Sequence, residues 1–319
     1  MSSVIDCIRT VGRGERGRKP LSYDQAYLVM DEYLAGSVDD DQMAMLLMLI
    51  RVQNETQAEI AGFVRAFQSR LPNLNAYVDW PCYAGKRLSA GKPWHLLAAR
   101  ILASNGYKIL MHGFKEATNE RLHAEDYLDS LDIVKAQSLD EARVLLDSQN
   151  ICYLPLEVFA PQAKTMLAWK SRYGLRTPIN TVVRALNPGG GKIGVRGSYH
   201  PGFQQLHANI EHEVGLHAHS VISFKGVSGE SEYNPKVSQT VWHSSAQGVT
   251  EHYWPEQYDE QLSVIGHCPF DTPSEQQVLM ANTVVRTISA LLFTENNDAS
   301  VSLIEAKKMW QQYLNNRND

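Results

Sequence analysis

Apolar positions over the first seventy or so residues recur at helical spacing. Ser22 is followed three residues later by Gln25, the order of a reciprocal N-terminal cap, and Tyr23, Tyr27, Met30 and Leu34 then share a face. A second helix is predicted from about Asp40 to Val52, opened by Ser37 with the acidic run 39–41. A third opens at Asn54 with Gln57. In it Ile60, Phe63, Val64, Phe67 and Leu71 keep the i, i+3, i+4, i+7, i+11 order until Pro72. After Pro72 the pattern changes. Short apolar runs at 107–112, 151–155, 191–198 and 220–226 read as strands. Helical patterns alternate with them at about 93–102, 138–150 (capped by Ser138 with Glu141) and 201–214. Helices return at 273–293 and 302–314.

Strands alternating with helices imply parallel βαβ units. The predicted fold class is therefore α/β. A small all-helical N-terminal domain (1–74) precedes a larger α/β domain (75–319) with a mainly parallel central sheet. The cleft between them is the default ligand site.

Composition narrows the picture a little. The 44% apolar content is that of an ordinary globular chain. No run reads as long and apolar enough to cross a bilayer, the nearest being Met43 to Ile50, and the N-terminus lacks a signal-peptide core. Cys7, Cys82, Cys152 and Cys268 follow no metal or redox spacing. The expectation is a soluble, reduced, cytoplasmic protein with no membrane partner. A net charge of -5 argues against a surface basic all over, but not against a local basic site.

Three segments concentrate positive charge. In "PCYAGKRLSAGK" (81–92), Gly85, Lys86, Arg87 and Lys92 precede a helix that starts near Pro93. A glycine-containing loop at a helix N-terminus presents free N–H groups and a favourable dipole to an anion. The competing interpretation is a solvated turn. In "KTMLAWKSRYGLR" (164–176), Trp169, Arg172, Tyr173 and Arg176 share a helical face beside Lys170, unless Gly174 ends the helix first. Cations interleaved with aromatics suit a single-stranded nucleic acid, but Trp169 and Tyr173 suit a core equally well. The third is the glycine-rich stretch 9–19, with Arg9, Arg13, Arg16, Arg18 and Lys19, either a basic arm or an ordinary linker between the first two helices. His207, His212, His217 and His219 cluster in sequence, but no pair among the first three has helical metal spacing, so they read as scattered histidines. No serine, cysteine or carboxylate pair declares itself catalytic.

Several phrases, in order along nearly the whole chain, resemble the anthranilate phosphoribosyltransferase family. These are "RTPINTVVRALNP" (176–188), "ILMHGFKEAT" (109–118) and the helical N-domain. The resemblance implies a nucleoside phosphorylase-like fold, with the helix near 161–175 packed on the N-domain beside the cleft. It also implies where substrate contacts would fall, and each is altered. The glycine-rich phosphate cradle with its Asp, and the following Asn-x-Ser-Thr phrase, are replaced by "CYAGKRLSAGK". Phe114 and Lys115 follow His112-Gly113 where the enzymes carry Asn and Arg, and Lys170 stands for the arginine that meets the anthranilate carboxylate. Glu230 and Glu232 lie near the place of the acidic magnesium pair without repeating it. The phrases around Pro81, Tyr83 and Gly85 and around Gly229, Glu230, Asn234 and Pro235 resemble a YbiB-type branch of the family, understood as homodimeric and nucleic-acid-binding.

The leading expectation is a homodimer that holds DNA or RNA through phosphate contacts, with little sequence preference and no cofactor. The candidate contacts are Gly85, Lys86, Arg87, Lys92, Lys115, Trp169, Lys170, Arg172 and Arg176. The rival is a phosphoribosyltransferase re-using Gly85, Gly91, Lys115, Lys170, Glu230 and Glu232 with magnesium and phosphoribosyl pyrophosphate. Dimerisation is expected through the first seventy residues, because Met43, Leu46, Leu47 and Ile50 exceed what one thin helical layer hides.

Overall fold

The computed structural model describes residues 3–116, 120–215, 219–264 and 270–318. Four helices open the chain: α1 (Ser3–Val11), α2 (Tyr23–Leu34), α3 (Asp40–Val52) and α4 (Gln57–Gln68). Then follow β1 (Val78–Cys82), β2 (Lys86–Arg87), α5 (His95–Ser104), β3 (Ile109–Gly113), β4 (Arg121–Leu122), α6 (Leu139–Gln149) and β5 (Ile151–Pro155). Helices α7 (Leu156–Phe159), α8 (Pro161–Tyr173) and α9 (Ile179–Val182) lead to β6 (Ile193–Ser198), α10 (Phe203–Val214) and β7 (Ser220–Lys225). A hairpin, β8 (Gln239–Ser245) and β9 (Gly248–Trp254), and two long helices, α11 (Ser274–Asn296) and α12 (Ala299–Asn318), complete it.

Side-chain caps fix the starts of α2, α3, α4 and α6. Ser22 and Gln25 exchange the two bonds of a capping box. The second helix is capped by Asp39 with Gln42, not by Ser37. The third is capped by Thr56 with Glu59, because Asn54 takes a left-handed conformation (φ 64°) and turns the chain instead. At α6 only half of the expected box forms. Ser138 Oγ accepts the Glu141 N–H, but the Glu141 carboxylate takes the N–H of Gln137.

The seven-stranded sheet runs β5-β3-β1-β6-β7-β8-β9. Its first five members pair in parallel, as the alternation of elements implies, while β8 and β9 add an antiparallel edge. One core joins α1–α4 and α8 to one part of the sheet. The other holds α5, α11 and α12 against the rest. Trp169 belongs to the first core. It is 2% exposed and meets Tyr33 edge-on with ring centres 6.3 Å apart. The stacking role expected of it is therefore corrected: its ring is held between layers.

Two other expectations change. Met43, Leu46, Leu47 and Ile50 are all buried within the single chain, so they supply no surplus apolar surface for a partner. Helix α11 is long and apolar enough to span a bilayer by length and composition, contrary to the sequence reading, but 78% of its apolar window is buried in the protein, packed on α5 and α12.

Candidate functional site

The parallel strands end on one side of the sheet, where ligands of open α/β folds collect. There the helical layer and the strand ends enclose a cavity of about 330 Å³. Five arginines line it: Arg51 from α3, Arg87 from β2, Arg121 from β4, and Arg176 and Arg184 from the segment after α8. Glu55 is the lone carboxylate among the described lining residues and is paired with Arg51 at 3.6 Å. Besides Glu55 Oε2, which faces Arg51, three described buried polar atoms in this wall have no hydrogen-bond partner: Thr177 Oγ1, Ser198 Oγ and His207 Nδ1. Buried polar groups are nearly always paired, so these three are open to water or to a polar ligand. Burial, reinforced by Arg184 and Arg196, pushes the His207 imidazole well below its usual value, so it is neutral.

The arginines are placed by different means. The Nη1 of Arg184 donates to the carbonyls of Gly197 and Gly229. Arg121 Nη1 donates to the Gly85 carbonyl at 2.9 Å and lies 3.3 Å from that of Ala84. Gly174 does end α8, in a left-handed conformation (φ 74°), and this turns Arg176 out of the helical face and into the cleft. There Arg176 is 3.8 Å from Glu116. At the mouth Tyr199 is 41% exposed, with the Arg87 guanidinium 5.0 Å and the Lys225 ammonium 6.0 Å from its ring centre.

The basic loop behaves differently from its sequence reading. Of its three cations only Arg87 lines the cleft. Lys86 is fully buried, and its ammonium bonds to the Lys92 carbonyl and the Glu232 carboxylate, 4.4 Å above the Trp94 ring. Lys92 turns to Tyr127, 5.2 Å from its ring centre. The anion at the loop and helix start is the chain's own. Glu230 Oε1 accepts the N–H groups of Ala84 and Gly85, and Glu232 Oε2 accepts the N–H of His95 at 2.9 Å. Two internal carboxylates thus satisfy the donors that a phosphate would use. This corrects Lys86 and Gly85 as phosphate contacts. It also answers the fit of a magnesium–phosphate complex: Glu232 is held by Lys86 and His95, so the pair Glu230 and Glu232 does not fit a magnesium ion.

Other candidates scatter. Lys115 is exposed and paired with Asp126, and Arg172 is exposed against Tyr173. Lys170 holds Glu116 at 2.8 Å. Burial opposes it, yet the bond and charge of Lys170 keep the Glu116 carboxyl below its usual range. Arg13, Arg16, Arg18 and Lys19 sit exposed on a turn that closes back by a Lys19 N–H bond to the Thr10 carbonyl. His212 faces the Ser245 carbonyl and His219 faces Glu211, while His217 lies outside the described residues.

Beneath the cleft runs a buried polar chain that single-residue reasoning does not announce. Tyr83 Oη is 2.7 Å from His112 Nδ1, and His112 Nε2 is 3.1 Å from Asp79. Asp79 lies 2.7 Å from Arg196, which donates to Glu211. Burial alone would raise the Asp79 carboxyl. The Arg196 guanidinium and His112 overcome it and hold it at about 2.

Residues 5–70 match the helical bundle domain of the glycosyl transferase family. An anthranilate phosphoribosyltransferase of Geobacillus kaustophilus is 28% identical over 199 residues, 62% of this chain and 58% of that protein. The chain is thus similar in sequence and in fold to anthranilate phosphoribosyltransferases. The uncharacterized protein YbiB of Escherichia coli is 25% identical over 237 residues, covering 72% of each chain. The fold agrees with the crystal structure of the Thermus thermophilus anthranilate phosphoribosyltransferase. Its TM-score is 0.73 at 19% identity, over 97% of this chain and 94% of that one. The Saccharomyces cerevisiae enzyme in complex with PRPP and Mg aligns at a TM-score of 0.68 and 15% identity, over 97% and 94%.

Proposed function

We propose that this anthranilate phosphoribosyltransferase-like chain is a nucleic-acid-binding protein that grips phosphates with Arg87, Arg121 and Arg176 and stacks a base on Tyr199. One observation carries the reading. The donors of the loop and of the α5 start are taken by Glu230 and Glu232, whereas arginines and an exposed aromatic converge on the adjoining cleft. A polyanion needs repeated cations and no metal cage, and an aromatic ring flanked by cations suits a single strand. The Thr177, Ser198 and His207 orphans would then face sugar or phosphate oxygens.

A second reading is favoured by the relatives' names and by the enclosed form of the cleft: phosphoribosyl transfer to a small acceptor. The two separate in one experiment. Fluorescence anisotropy with a labelled single-stranded oligonucleotide is run across a salt series on the unmodified protein and on Arg87→Ala with Arg176→Ala. The log–log salt slope is expected to fall by about 0.7 for each phosphate of the single strand that the variant no longer neutralises. Salt-independent affinity, or an unchanged slope in the double variant, would refute the nucleic-acid reading. Magnesium-dependent consumption of phosphoribosyl pyrophosphate in the presence of an aromatic acid would establish the second.

A further inference from the structure

Below the basic loop, three buried side chains from distant parts of the chain point donor atoms at one another. Cys82 ends β1, His95 begins α5, and Glu230 lies in the segment after β7. One ligand atom from each lies within 4.8 Å of the other two. Cys82 Sγ is 3.7 Å from His95 Nε2. Bond lengths of about 2.3 Å to sulfur and 2.0 Å to imidazole, at a tetrahedral angle, would set these two atoms about 3.5 Å apart.

Two further observations point to a ligand here. Glu230 is 1% exposed, and while its Oε1 accepts two backbone N–H groups, its Oε2 has no hydrogen-bond partner. His95 Nδ1 lies 3.2 Å from Glu232 Oε2, which orients the ring and leaves Nε2 as the nitrogen toward Cys82. A carboxylate behind a histidine is the usual support of a metal-ligating imidazole. Lys86 in turn fixes Glu232.

We propose that Cys82, His95 and Glu230 form a binding site for a thiophilic divalent cation of the zinc class, with Glu232 positioning His95. A thiolate and an imidazole disfavour magnesium and suit zinc or cobalt. On binding, the Cys82 S–H bond breaks, the sulfur bonds the metal and the proton leaves to solvent, so one proton is released per ion bound. The ion would tie the end of β1, the start of α5 and the Glu230 segment together beneath Arg87. None of the three ligands lines the cleft above.

The test uses the full chain, stripped with chelator and dialysed against zinc. Elemental analysis is expected to find one zinc per chain in the unmodified protein and less than a tenth of that in Cys82→Ser, with folding checked by circular dichroism. X-ray absorption at the zinc edge of the unmodified protein is expected to show a single sulfur with nitrogen and oxygen neighbours, and needs no variant to fold. Failure to retain zinc, a sulfur-free or sulfur-only shell, or full retention by a folded Cys82→Ser would each overturn the proposal.

Discussion

Lys86 shows how a residue's meaning turns on its partners. In the sequence it is one of three cations in a loop. In the fold it is an internal counter-ion, its amine pushed down by burial and pulled back by Glu232. Removing one member of a buried pair leaves the other charge stranded, so Lys86→Met is expected to destabilise the protein by about 3–5 kcal/mol. Chemical denaturation measures this. A Lys86→Met variant that melts normally but loses oligonucleotide affinity would return Lys86 to the binding surface. His207 gives a pH prediction. Its folded value is depressed and its unfolded value is near the ordinary ~6.5. Below that pH the unfolded chain takes up a proton that the native state refuses. The stabilisation is present in full above about 6.5 and declines as pH falls below it. His207→Gln is expected to flatten the slope of unfolding free energy against pH between about 6.5 and 5. A variant with the same slope would show that His207 is not its source.

The elements legible in advance are those whose periodicity is long or whose caps are local: helices α2–α6, α8 and α10–α12, and strands β3, β5, β6 and β7. Strand β1 is not, although it is central. It carries Asp79 and Pro81, which argue against a buried strand. Both are tolerated for reasons found only in space. Arg196 and His112 neutralise Asp79, and β6 pairs with β1 only at Val78 and Asp79, so the ladder on that side ends before Pro81. The segment carrying Glu230 is equally illegible, because its seat is made by glycines of other strands. A Cβ on Gly197 would lie 1.9 Å from the Glu230 carbonyl oxygen. Gly197→Ala is expected to unseat Glu230 from the Ala84 and Gly85 amides and to lower the melting temperature. Hydrogen exchange of those two amides checks it: protection equal to the unmodified protein would refute the linkage.

Assembly is decided beyond the single chain, and the homodimer expected through the first seventy residues needs an exposed apolar face there. The buried quartet on α3 serves its own core, but Met45 and Val52 of the same helix are 56% and 65% exposed. They are seven residues apart and so share a face. We propose a homodimer that uses this face, which would place two arginine-lined clefts on one particle and raise avidity for a long strand. Sedimentation of Met45→Glu with Val52→Glu is expected to give a monomer with unchanged circular dichroism. A monomeric unmodified protein would overturn the dimer, and a dimeric variant would overturn this face.

The chain's linear pattern was enough for the fold class, the helical N-domain and the parallel strands, because helical and strand periods and caps are set by residues a few positions apart. It was also enough to mark Arg87 and Arg176. Arg51, Arg121 and Arg184 joined them only in space, contributed by a helix, a two-residue strand and a segment of separate packing layers. The fate of the basic loop depended on carboxylates some 146 positions away, Glu230 and Glu232. Charge acts through distance and burial, and those exist only once the layers are packed.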